Sequence, residues 1–149
     1  MNKTITLTIA ALLLSAGSTQ AQDGEAFQNV ERLACSFPVV TTGGGWKTAA
    51  NRPEANTGVQ EFSFTIEAIR RDRAVIFGDN GSIELTVLWG ANSLTFLETT
   101  SSGIVHVTVV YADQQSGAFP AVHSRHTDTL GDNVPSQQYG WCGVAGWIE

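Results

Sequence analysis

Lysine is nearly absent from this sequence: Lys3 and Lys47 are the only ones. Acidic residues are in excess, and the formal charge at neutral pH is −6. Such a chain lacks the basic surface that binding to nucleic acid or to an anionic membrane requires. Cysteine is scarce too. Cys35 and Cys142 stand alone, far apart, with no C-x-x-C spacing for redox catalysis. There is no G-x-S-x-G elbow to activate a serine nucleophile. After the apolar run that ends at Ala16, no segment is long enough and apolar enough to cross a bilayer. Helical periodicity is also mostly missing. Apolar residues recur at every second position along most of residues 22–149, which excludes a helical bundle.

What is present begins with MNKTITLTIAALLLSAGSTQAQ. Lys3 precedes an apolar run from Ile5 to Ala16, and small and polar residues follow, ending in Thr19-Gln20-Ala21. This pattern predicts a secretory signal peptide over residues 1–21 and one domain over residues 22–149. The run is too short to anchor the chain in a membrane, and no basic stop-transfer patch follows it. Leu33-Ala34-Cys35 looks like the end of a lipid-attachment site, but Arg32 and the charges before it spoil that pattern. The expected location is therefore the bacterial periplasm or the medium outside the cell. In an oxidising compartment an isolated pair of cysteines forms a disulfide, so Cys35 is expected to bond Cys142. Closing a loop near 100 residues is worth about 4–5 kcal/mol in the chain-entropy view.

Alternation marks the strands. Phe62, Phe64 and Ile66 alternate with Ser63 and Thr65, and Val75 and Phe77 follow a turn that carries Arg70, Arg71 and Arg73. That arginine cluster reads as a solvated hairpin end. Asn80-Gly81 is a two-residue hairpin signal. Ile83 to Trp89, Leu94 to Phe96, Val105 to Tyr111, Phe119 to Thr127 and Gln138 to Cys142 continue the series, and Leu33 to Val40 starts it. A short helix over Glu25–Arg32 precedes them. The prediction is an all-β domain of about eight antiparallel strands: a lipocalin-like up-and-down barrel, or a sandwich, closed by one disulfide between first and last strands. Phe62, Phe64, Phe77, Trp89, Phe96 and Tyr111 are the expected inward residues, filling the core.

The polar stretch AVHSRHTDTL, Ala121 to Leu130, holds the candidate site residues. Pairing Tyr111 with Ala118 across the preceding turn sets Val107 opposite Val122 and His106 opposite His123. Two adjacent imidazoles could share zinc or copper, with Glu98 or Glu84 as a third ligand. His126 falls on the other face from His123, because strand side chains alternate. Ser124, His126 and Asp128 share a face but are spaced too widely for a serine–histidine hydrogen bond. The structural reading has His106 and His123 on the outer face. It has Arg125, His126 and Asp128 pinning the long loop that runs from Asp128 to Gln137. Trp46, presented by Gly43-Gly44-Gly45, could form an aromatic contact strip with Trp141 and Trp147, and Phe119 beside Val110 an outward contact patch.

The closing segment AVHSRHTDTLGDNVPSQQYGWC, with the early cysteine, the NGS turn, LTFLE and VTVVY, resembles a group of small exported proteobacterial proteins with an HSRH…PSQxYGxC ending. That group has no established activity, so the resemblance implies export and an all-β domain only. The layout is also similar to that of small-barrel lysozyme inhibitors, which share an early and a late cysteine. Their inhibitory motif centres on a Ser-Gly loop with basic and tyrosine neighbours, for which Ser102-Gly103 is the counterpart here. No nucleophile, base and oxyanion hole converge, so binding or structure is favoured over catalysis. The expected role is that of a noncatalytic cell-envelope barrel that takes a protein or small apolar ligand and needs no cofactor. A secreted lysozyme-inhibitor-like protein and a metal-binding protein using His106 and His123 are the alternatives.

Overall fold

The computed structural model describes residues 25–44, 54–78, 81–115, 117–126, 128–129, 132–133 and 135–144. The predicted signal peptide, Trp46 and Trp147 lie outside these residues. A 3-10 turn, Glu25–Phe27, leads into β1 (Leu33–Gly44). There follow β2 (Glu54–Val59), β3 (Ser63–Glu67), β4 (Arg73–Gly78), β5 (Gly81–Trp89), β6 (Ser93–Thr99), β7 (Val105–Tyr111) and β8 (Ala118–His126). A small hairpin, β9 (Asp128–Thr129) and β10 (Asp132–Asn133), precedes the last strand, β11 (Ser136–Val144). The main sheet runs β11-β8-β7-β6-β5-β4-β3-β1, and β11 pairs back onto β1, which closes an antiparallel barrel of eight strands. Closure removes the exposed edges that an open sheet of this size would carry.

The ninth strand, β2, is an outgrowth of the first hairpin. The lower half of β1 pairs with β3, Leu33 opposite Ile66 and Ser36 opposite Ser63, while its upper half pairs with β2, Val39 opposite Val59. The ladder slips by one residue between these halves, and Pro38, which has no N–H to give, lies at the slip. Pro38 still accepts a hydrogen bond from the Gln60 amide at 3.1 Å, and the Phe37 amide donates to the Phe62 carbonyl at 2.8 Å. The same slip shows between β1 and β11 from Ser36 to Val39. There Gly140 passes directly against the β1 backbone; any Cβ on it would collide with the Ser36 carbonyl and with Phe37.

The seam is locked as expected. Cys35 faces Cys142 across the β1–β11 ladder, and their sulfurs are bonded, joining residues separated by 107 in sequence. Below the disulfide lies the apolar core: Leu33, Ile66, Leu94, Phe96, Val110 and Phe119 are buried. Phe27 plugs this end, fully buried, with its ring 4.9 Å from that of Phe119.

Three expectations about facing are corrected. Phe77 and Tyr111 are 45% and 42% exposed, so they point outward. Val110 and Phe119, expected as an outward patch, are 0% and 4% exposed and belong to the core. In β7 and β8 the inward set is His106, Thr108, Val110, Phe119, Ala121, His123 and Arg125, not the valines Val107, Val109 and Val122. These strands are apolar on both faces, so alternation by itself does not tell inside from outside. The other correction is register. Val110 pairs with Ala121, Thr108 with His123 and His106 with Arg125. The hairpin closes tightly over Gln115–Ala118, with Gly117 at φ 85°, and not over a wide loop beginning at Ala112. The offset is two residues, an even number, so His106 and His123 keep a common face.

Candidate functional site: the polar end of the barrel

The interior changes character along its length. Following β8 inward positions from the plugged end, Phe119 and Ala121 give way to His123 and Arg125. On β7 the same climb passes from Val110 to Thr108 and His106, and on β6 from Leu94 and Phe96 to Glu98. Ladder pairing brings these polar residues together in two layers. Gln138, His123 and Thr108 are neighbours across β11, β8 and β7. One layer further out, Arg125, His106 and Glu98 are neighbours across β8, β7 and β6.

His123 is the centre of the lower layer. It is 2% exposed, and its Nδ1 lies 2.9 Å from the Thr108 hydroxyl. The rings of Phe62, Phe64 and Phe37 surround it at centroid distances of 5.3, 5.4 and 5.8 Å. Burial pushes its pKa down from 6.5 to about 3, and the nearby charges of Arg125 and His106 add to the effect. His123 is therefore neutral at physiological pH. Its Nε2 is buried without a hydrogen-bond partner, and so is Oε1 of Gln138 beside it.

In the upper layer His106 Nδ1 and Glu98 Oε2 are 3.1 Å apart, with both side chains mostly buried. The His106 ring meets the His123 ring edge-on at 5.9 Å. The predicted proximity of these two histidines is thus present, but on the inside of the barrel. Among the described residues no three His, Cys, Asp or Glu side chains are grouped so as to hold a metal ion. His106 turns Nδ1 to Glu98, and His123 turns Nδ1 to Thr108.

Arg125 points into the barrel. Its guanidinium carbon is 4.7 Å from the centroid of the Phe62 ring, a cation–π contact. Its Nε is buried and unpartnered. His126 is exposed on the other face, opposite Val105. The backbone of Asp128 opens β9 and pairs with Asn133, and its side chain lies outside what is described. Trp141 is exposed on β11.

Beside Arg125 the barrel holds a cavity of about 300 Å3, walled by Phe62, Phe64, Ile76, Ile83, Glu98 and Arg125. Sequence reading missed it. Its components sit on five different strands, with Phe62 just before β3, and only the register brings them to one level. A larger groove of about 850 Å3 at the plugged end runs past Val30, Arg70 and Trp89. There Arg70 pairs with Glu31 at 3.4 Å, and the Trp89 indole donates to the Arg71 carbonyl at 2.8 Å. The Ser102-Gly103 turn, between β6 and β7, is exposed at the same end as the cavity, with Gly103 at φ 83°.

Among the described residues, no helix is long and apolar enough to cross a membrane. Comparison with protein-family models, with curated proteins and with solved structures found no match. The fold and site define a disulfide-closed β-barrel with one packed end and one polar end.

Proposed function

We propose that the protein is a noncatalytic, exported barrel of the bacterial cell envelope that binds a small molecule at its polar end. The observation that carries this reading is the cavity wall itself. A guanidinium with an unpartnered buried Nε stands there beside two phenylalanine rings. A domain that needed only stability would fill this end with apolar side chains, because burying an unpartnered polar group costs about 1–3 kcal/mol. Apolar walls with a few oriented polar groups are the ordinary make-up of ligand pockets. The lone cysteine pair as a disulfide and the signal-like N-terminus support export. Screening small molecules against isotope-labelled protein by NMR tests the reading. Hits are expected to shift the ring resonances of Phe62 and Phe64 and the Nε–H of Arg125. Hits that shift only residues at the plugged end would refute it.

The inhibitor reading keeps one observation in its favour. His126 stands opposite Val105, at the foot of the exposed Ser102-Gly103 turn, and so adds a histidine close to it in space. Calorimetric titration with lysozymes decides this reading, and absence of heat at micromolar protein would end it.

A further inference from the structure

We infer that the ligand of the polar cavity is a small organic anion, a carboxylate carried on a single aromatic ring. The inference rests on the cavity being a ligand site, and it adds the chemical class. The two acidic residues at the cavity do not offer themselves equally. Glu98 is already engaged by His106 at 3.1 Å, and Glu61 is exposed at the rim. Arg125 has no carboxylate within ion-pair distance among the described residues. Among the described residues its guanidinium lies against the face of Phe62, which accepts no conventional N–H hydrogen bond, and its Nε is buried without a partner.

The site therefore presents a fixed cation short of acceptors, and a carboxylate is the group that a guanidinium binds best, through two parallel hydrogen bonds. The cation–π contact holds the guanidinium at the wall, so little freedom is lost when an anion arrives. Phe62, Phe64, Ile76 and Ile83 supply flat and branched apolar surface around it. A volume of about 300 Å3 suits a one-ring acid better than a lipid chain. An amine would meet Arg125 as a like charge, and an uncharged amide would leave the guanidinium without its counter-ion.

Three isosteric probes test this: phenylacetate, phenylacetamide and phenethylamine, titrated calorimetrically into the full exported protein at pH 7.5 and low salt. Phenylacetate is expected to bind at least tenfold tighter than the other two, and to weaken with added salt while phenylacetamide does not. Arg125→Gln is expected to remove the preference for the acid over the amide. Because the ranking and its salt dependence are read on the unaltered protein, a misfolded variant does not spare the inference. Equal binding of acid and amide, or tightest binding of the amine, overturns the anion class and leaves the cavity as a ligand site. No binding of any probe at millimolar concentration, with His123 and Phe62 resonances unmoved, overturns both.

Discussion

Replacing His123 by asparagine should change how the protein's stability depends on acid. In the folded barrel the His123 pKa is about 3, against 6.5 for the unperturbed side chain. The cause is burial first, then Arg125 and His106. Those two, with Glu98 behind His106, are the titratable and charged groups facing it. Between pH 6.5 and 3 the unfolded chain carries a proton on this residue and the folded chain does not. Stability must therefore fall as the pH falls through that window. Each pH unit well below 6.5 is worth about 1.4 kcal/mol. Between pH 8 and pH 5 the loss from this one group is about 2 kcal/mol, and it continues toward pH 3. Against a typical domain stability of about 5–15 kcal/mol, that is a sizeable share.

The assay is urea denaturation of the wild type and His123→Asn at pH 8, 7, 6 and 5, with the disulfide intact. Asparagine offers Thr108 a partner near the position of Nδ1 but does not titrate. The variant should be less stable at pH 8, because it underfills the phenylalanine cage around His123. Its stability should nevertheless decline less steeply with acid, so that the gap between the two proteins narrows by about 2 kcal/mol at pH 5. Every other titrating group is common to both proteins and cancels in the difference. Parallel curves for the two proteins would show that His123 takes up its proton in the folded state as readily as in the unfolded chain. The buried, neutral imidazole would then be wrong.

Replacing Cys35 and Cys142 together by serine should cost about 4–5 kcal/mol in denaturant unfolding, for a bond that joins residues separated by 107; a loss under about 1 kcal/mol would mean that the seam holds without it. Gly140→Ala should destabilise by more than an ordinary surface change, since the new methyl must displace the Ser36–Phe37 backbone, and a Tm unchanged within a degree would refute that close approach. Phe27→Ala should cost about 3–5 kcal/mol, because the ring is wholly buried as the plug of the apolar end; unfolding midpoints measure it, and a near-neutral result would show that the plug is not part of the cooperative core.

The strand order, the closure and the disulfide were legible because each rests on a local signal. Alternation marks the strands, turn residues mark their ends, and a lone cysteine pair at the two ends of the domain marks the seam. Which face turns inward was not legible in β4, β7 and β8. Val75 and Phe77, or Val105, Val107 and Val109, look like a buried row because valine and phenylalanine are usually buried. In this barrel they lie outside, and Ala74 and Ile76, or His106, Thr108 and Val110, lie inside. Among the described residues, the rule that polar residues face water fails for one group, at the end where the cavity lies. The two-residue slip in the β7–β8 register has a similar origin. ADQQSG offers several turn sites, and the tight closure at Gln115–Ala118 depends on Gly117 taking a positive φ.

The grouping of these exceptions is what separates a site from a poorly packed core. Scattered polar residues in an interior are individually satisfied or individually costly, and they point nowhere. Here Thr108, His123 and Gln138 form one level and Glu98, His106 and Arg125 the next, while the levels below them are apolar to the Phe27 plug. Some demands are met within the cluster, Thr108 by His123 and Glu98 by His106. Those left over are at Nε2 of His123, Oε1 of Gln138 and Nε of Arg125. Of these residues, Arg125 lines the cavity. The disulfide, the closed seam and the Phe27 plug offset what these unpartnered groups cost, and under the proposed reading the polar end serves recognition.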